Sequence, residues 1–483
     1  MFEVASAPGY KSQVAEAGET EEGAARSGVW LERRFSGGTL NLPQFEAYLN
    51  SILARIQEQW PGDKPAARVK ISPTRDYNAY AHADGTIILP MGMLEDAENE
   101  DQVAFVLAHE YAHIILGHNH LNSYRNMSRK ASAAVDLGFD AKHLYKEKQE
   151  TADGTTENVV GGKTDKRTNY MYAADKVNAS ILAPVYGQEL EREADLLGLD
   201  LLIRAGYSTN GASRALLAVK SGQERDKKIA AELAEIREKQ RSESFSAAGD
   251  QALSGDTSGG IGAFFDELVS TGVFFVDEIE VDSHPDAKDR LDDLKAYINN
   301  HYKTRARVRV KKETLAAARA EPQTRARLDQ YLQSHQARLD LDNDDIESAI
   351  ARAKRGVGGD LSLDPITRQA FYEVRKYQGQ TDRAVQNLEL ALQSEQAPLN
   401  TYQQLAEEWT LLGQYDNSLR ALGQAEAKFG EVPGSLPIWI AAYKGLNNSE
   451  KVSTLMVKCR LEGTGLTQKC RRAAGQIEAE AAE

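Results

Sequence analysis

Apolar positions recur at helical spacing over most of this chain, and only one short stretch alternates as strands do. From Leu40 to Trp60 the residues Phe45, Leu49, Ile52, Leu53 and Ile56 form one apolar stripe, which Pro61-Gly62 closes. Val69-Lys-Ile71 and Tyr77-Asn-Ala-Tyr-Ala81 read as strands. Asp84-Gly85 marks a hairpin turn before the return strand Thr86-Ile-Ile-Leu89. Val103 to Gly117 is an apolar run without proline, long enough for roughly three to four helical turns. The acids from Glu95 to Asp101 precede it and suit the positive end of its dipole. Gln188 to Arg204 predicts a further helix with a glycine stop at Gly206. Residues 222–242 predict a charged helix, and Asp282 to Leu291 opens another. Residues 1–38, rich in Gly, Ala, Ser and Glu, predict a mobile arm, and residues 243–262 a flexible loop.

The C-terminal part has an internal period. Gly379 and Gly413 stand 34 residues apart, as do Ala391 and Ala425. Trp409-Thr-Leu-Leu-Gly-Gln-Tyr415, then Ala425, Phe429 and Pro433, follow the tetratricopeptide pattern, and a worn third copy runs from Trp439 through Tyr443 to Asn447. The expected fold class is therefore α+β, mainly α. An arm (1–38) leads to a large domain with a small β-sheet (39–302), then a charged helical connector (303–360) and a helical repeat domain (361–483).

Composition narrows the function. A chain of 483 residues with 41% hydrophobic content can build several cores. Its net charge of −14 argues against a nucleic-acid partner, since phosphate recognition needs a positive field. The basic run Arg305 to Lys312 is short and reads as a solvated helix face. No stretch reaches the ~18 apolar residues of a spanning helix, so no transmembrane segment is expected. The N-terminus lacks the basic and apolar regions of a signal peptide, so the chain is either cytoplasmic or begins after a removed leader. Cys459 and Cys470 are the only cysteines. They form either one disulfide, implying an oxidising compartment, or two incidental thiols.

The candidate chemistry lies in His109-Glu-Tyr-Ala-His113. Residues four apart on a helix stand one above the other, so His109 and His113 present two imidazoles to one point, half of a zinc site. Glu110 sits about 100° round the helix, beside the pair, where its carboxylate can take a proton from water. Buried in this apolar helix, such groups would cost several kcal/mol unless metal or hydrogen bonds satisfied them. A hydrolytic site needs a third protein ligand. Position 119, where a third histidine would stand in one such protease class, is Asn119. His118 and His120 are out of phase with the pair and read as surface histidines. The residues alone leave the third ligand open.

The HEYAH run, preceded by Asn78-Ala-Tyr-Ala and Gly85-Thr-Ile-Ile-Leu and followed by Glu191-Arg-Glu-Ala-Asp195 and His284-Pro-x-x-x-x-Arg290, resembles the HtpX-like and CAAX-prenyl-protease group of zinc metallopeptidases, peptidase family M48. With its tetratricopeptide-like tail, the chain looks most like the BepA-like envelope branch. The resemblance implies a gluzincin-type metalloprotease domain holding one Zn²⁺ per chain on His109, His113 and Glu191, with Glu110 as general base. Glu189 and Glu193 are weaker candidates for the third ligand. It also implies that Asp195 accepts a hydrogen bond from a ligand histidine and that Arg290 braces the acidic helix. His284 would sit over the metal, to stabilise the oxyanion or to block the site in a latent state. The strand containing Asn78, Ala79 and Tyr80 would align an extended peptide. Protein or peptide substrates, protein partners at the repeats and a periplasmic or envelope location follow as expectations. The inserts at 150–165 and 240–262 depart from the family pattern at the substrate cleft. Two competing expectations are a chaperone-like binding protein that works through its repeats and a cytoplasmic peptidase of small peptides.

Overall fold

The computed structural model describes residues 27–118, 188–222, 224, 287–303, 308, 310 and 312–476. The N-terminal half packs helices α1 (Gly28–Phe35), α2 (Pro43–Gln57), α3 (Met91–Asp96), α4 (Glu100–Ile115), α5 (Gln188–Arg204) and α6 (Ala287–His301) around a small sheet. The sheet has strands β1 (Arg68–Ser72), β2 (Tyr80–Ala81) and β3 (Thr86–Pro90) in the order β1-β3-β2. β1 runs parallel to β3 with Val69 opposite Ile87, and β2 runs antiparallel to β3 with Tyr80 opposite Ile88. As the central strand, β3 is buried along its whole length, which explains its unbroken apolar run.

The stripe predicted for α2 is its buried face: Phe45, Leu49, Ile52, Leu53 and Ile56 join Leu107, Ala108 and Tyr111 of α4 and Leu197 and Leu201 of α5 in one core. Helix α4 has this core on nearly every side, so its sequence is apolar all round rather than amphipathic. Asn99 caps it, its Oδ1 accepting from Gln102 N at 3.0 Å. The acids of its first turn also tie other elements in: Asp101 Oδ1 accepts from Ser208 N at 2.7 Å, and Glu100 accepts from Tyr48 and Tyr207 hydroxyls. Where α5 crosses α4, a Cβ on Gly198 would lie 2.9 Å from His109 N, so the backbones touch there.

The C-terminal half is a stack of helical hairpins: α10 (Pro365–Tyr377) with α11 (Thr381–Ala391), α12 (Leu399–Leu411) with α13 (Tyr415–Phe429), and α14 (Leu436–Gly445) with α15 (Ser449–Glu462), closed by α16 (Thr464–Ala474). Gly379, Gly413 and Asn447, each 34 residues from the next, occupy the same turn with φ of 69°, 71° and 58°. Cys459 and Cys470 form a disulfide between α15 and α16. Among the described residues, no helix is long and apolar enough to cross a membrane.

The structure differs from the sequence reading at two joints. Part of the expected arm is helix α1, whose Trp30 packs on Phe429 with ring centroids 6.2 Å apart and donates from Nε1 to Lys428 O at 3.0 Å. The expected connector contains α7 (Lys312–Ala320) and a hairpin of α8 (Pro322–Asp342) with α9 (Ile346–Gly356), and it is packed at both ends. Leu315 and Tyr331 enter the first core, and the Tyr331 hydroxyl accepts from Asn41 N and donates to Asp364, both at 2.8 Å. Of the charged helix expected at 222–242 only residues 222 and 224 are described; the rest of it, the loop at 243–262 and both inserts lie outside the described residues.

Candidate metal centre

His109 and His113 stand on successive turns of α4 with their Nε2 atoms 3.1 Å apart. Glu191, in the first turn of α5, brings Oε2 to 3.5 Å from His109 Nε2 and Oε1 to 3.4 Å from His113 Nε2. All three side chains are buried, and their ligand atoms lie within 4.8 Å of one another. A tetrahedral zinc with bonds of about 2.0–2.1 Å separates its ligand atoms by about 3.3 Å. The three donors match that spacing. Two imidazoles and one carboxylate also form a set that leaves a fourth position for reactants, so the residues present fit a catalytic zinc.

Behind the donors runs a second line of contacts. Asp195, one turn beyond Glu191 on α5, has Oδ1 at 3.0 Å from His109 Nδ1. Arg290 of α6 grips Asp195 with two hydrogen bonds of 2.8 Å and reaches Glu191 Oε2 at 2.9 Å with its remaining nitrogen. Asp195 thus lies against His109, and Arg290 against both Asp195 and Glu191. Glu110 is also buried, with 2% of its surface exposed, and its charge is felt by Arg290.

Electrostatics split the two histidines. Burial pushes His109 down, but hydrogen bonds and charge from Asp195 and Glu191 outweigh it and hold the imidazole up at about 10. Burial dominates at His113, helped by the charge of His109, and takes it down to about 3. Burial also opposes the Asp195 carboxylate, yet Arg290 and His109 hold it below the usual range. In the metal-free centre one imidazole is thus charged and the other neutral.

Two sequence readings are corrected here. His118 is not a surface residue; it is 3% exposed, with Nδ1 at 3.0 Å from His113 Nδ1 and Nε2 at 3.4 Å from Glu193. The signal was the preceding Gly117, whose φ of +70° ends α4 and turns the chain back under His113. Of the expected aligning segment Asn78-Ala79-Tyr80, only Tyr80 lies in β2. Asn78 N donates to Asp76 Oδ1 at 2.9 Å, a local turn that keeps it and Ala79 off the ladder, and the Tyr80 hydroxyl points inward to Glu32 at 2.8 Å. Glu193, set aside as a ligand, faces His118 rather than the donors. His284 and His120 lie outside the described residues.

The family model described as Peptidase family M48 matches residues 43–298. Metalloprotease YcaL of Escherichia coli (strain K12) is 31% identical over 142 residues, 29% of this chain and 46% of that protein. A putative beta-barrel assembly-enhancing protease of Vibrio cholerae serotype O1 is 23% identical over 171 residues, 35% of this chain and 32% of that protein. The matched segment spans less than half the length of either relative.

Proposed function

The chain belongs to Peptidase family M48, and from that premise we propose that it is a zinc-dependent metalloendopeptidase cleaving peptide bonds in protein substrates. The observation that carries this reading is the convergence of three buried donors: the His109 and His113 Nε2 atoms lie 3.1 Å apart, and each faces one oxygen of the Glu191 carboxylate at 3.4–3.5 Å. When bound, zinc supplies a Lewis acid that polarises the scissile carbonyl and lowers the pKa of water. The chain's own residues do the rest. Asp195 fixes the tautomer and angle of the His109 ring, and Arg290 fixes Asp195 and Glu191 together. Glu110 takes a proton from the attacking water and delivers it to the leaving amine. His284 donates to the oxyanion of the tetrahedral intermediate, a kind of contribution worth about 3–4 kcal/mol in other proteases.

The helical hairpins offer a surface for substrate delivery or partner choice. The Cys459–Cys470 disulfide supports an oxidising compartment, in keeping with envelope protein quality control. Glu110→Gln tests the mechanism. Casein digestion should fall by at least about a hundredfold while zinc content is unchanged. Digestion at the parent's rate would remove Glu110 from the reaction.

A further inference from the structure

A histidine that binds metal through Nε2 carries its proton on Nδ1, and an acceptor there holds both the tautomer and the ring angle. Asp195 provides this for His109, with 3.0 Å between Oδ1 and Nδ1. Opposite His113 Nδ1, at the same 3.0 Å, stands Nδ1 of His118, its ring tilted by 67° to the first. Two facing ring nitrogens can form this bond only if one donates and the other accepts. With His113 giving its Nε2 lone pair to the metal position, His113 Nδ1–H must donate and His118 Nδ1 must accept. The His118 proton then sits on Nε2, which faces the Glu193 carboxylate at 3.4 Å. Only one assignment of protons satisfies all three residues. It runs from the buried donor through a histidine 3% exposed to a carboxylate whose side chain is 40% exposed.

We propose that His118 is a positioning residue for the metal centre, holding His113 in its metal-binding tautomer while Glu193 holds His118. The inference rests on the zinc reading above. Helix α5 thereby reaches both histidines of α4, placing Asp195 directly behind His109 and Glu193 behind His113 through His118.

Two substitutions separate hydrogen bonding from packing. His118→Gln keeps an acceptor for His113 and a donor toward Glu193, whereas His118→Phe keeps the ring volume and offers neither. Zinc affinity is measured by chelator competition on the full chain, beside the visible spectrum of the cobalt(II)-loaded protein and the melting of the metal-free protein. His118→Phe should bind zinc about 10–100-fold more weakly and shift the cobalt spectrum, while His118→Gln stays close to the parent. Should His118→Phe fail to fold, His118→Ala takes its place in the comparison. Zinc binding by the Phe or Ala variant as tight as the parent's would overturn the proposal, and so would His118→Gln binding as weakly as they do. A parent chain that takes up no zinc would instead defeat the reading of the site, and this inference with it.

Discussion

At the residue scale, the centre is a balance of buried charges. Glu191 and Asp195 are both buried, and Arg290 contacts both while itself only 9% exposed. Such a cluster holds together only as a set, since removing one member strands the others in a poorly solvated place. The same balance sets a proton count. His109, held up at about 10, is charged in the metal-free protein at neutral pH, while His113, near 3, is neutral. Zinc requires both rings as neutral donors. Loading at pH 7 should therefore release about one proton per chain, and the release should fade as pH rises toward 10. Calorimetry in buffers of differing ionisation enthalpy measures this, and release of no proton at pH 7 would contradict the assignment. The sign for stability follows from the same shift. The His109 contribution to the metal-free fold is complete below the ordinary imidazole value and is lost as pH climbs through about 10.

At the element scale, the site is one crossing of two helices. Glu191 meets the histidines because α5 lies against α4 with Gly198 touching the backbone at His109, about two turns along α5 from Glu191. Gly198→Ala should force the helices apart, destabilising the fold by about 1–3 kcal/mol and weakening zinc binding more than stability alone explains. Thermal melting with zinc titration checks this, and unchanged zinc affinity would show that the crossing tolerates the extra carbon. Much of this level was legible in the sequence. The α2 stripe, the α4 run and the glycine-stopped α5 are strong local periodicities, and a helix puts His109 and His113 together by its own geometry. Glu191 came only by resemblance, because no local rule says which acidic helix will cross α4. His118 was missed because helical phase was extended past Gly117, where a left-handed residue ends it. The strand at Tyr77 to Ala81 was read too long, because Asp76 closes a turn that alternation of residue types does not reveal.

At the scale of the whole molecule, the repeat stack is fastened to the core that carries the metal centre from both sides. Through α7 and α8 the supposed connector enters that core with Leu315 and Tyr331. From the other side α1 bridges the two halves. Its Gly28 N donates to Asp84 at the β-hairpin and its Glu32 is buried against Tyr80 and His82, while Trp30, Arg33 and Arg34 hold backbone carbonyls of the repeats. These partners stand up to 398 residues away in sequence, which is why a weakly patterned stretch read as an arm. Edge strand β2, which packs against α4, is thus tied through Glu32 to the same helix that grips the repeats. The proposed function requires that His109, His113 and Glu191 hold a metal. Zinc content after exhaustive dialysis, compared between the parent chain and Glu191→Gln, tests that claim most directly. The account predicts about one zinc per chain in the parent and loss of most of it in the variant. Full zinc retained by Glu191→Gln would place the metal elsewhere and contradict the account.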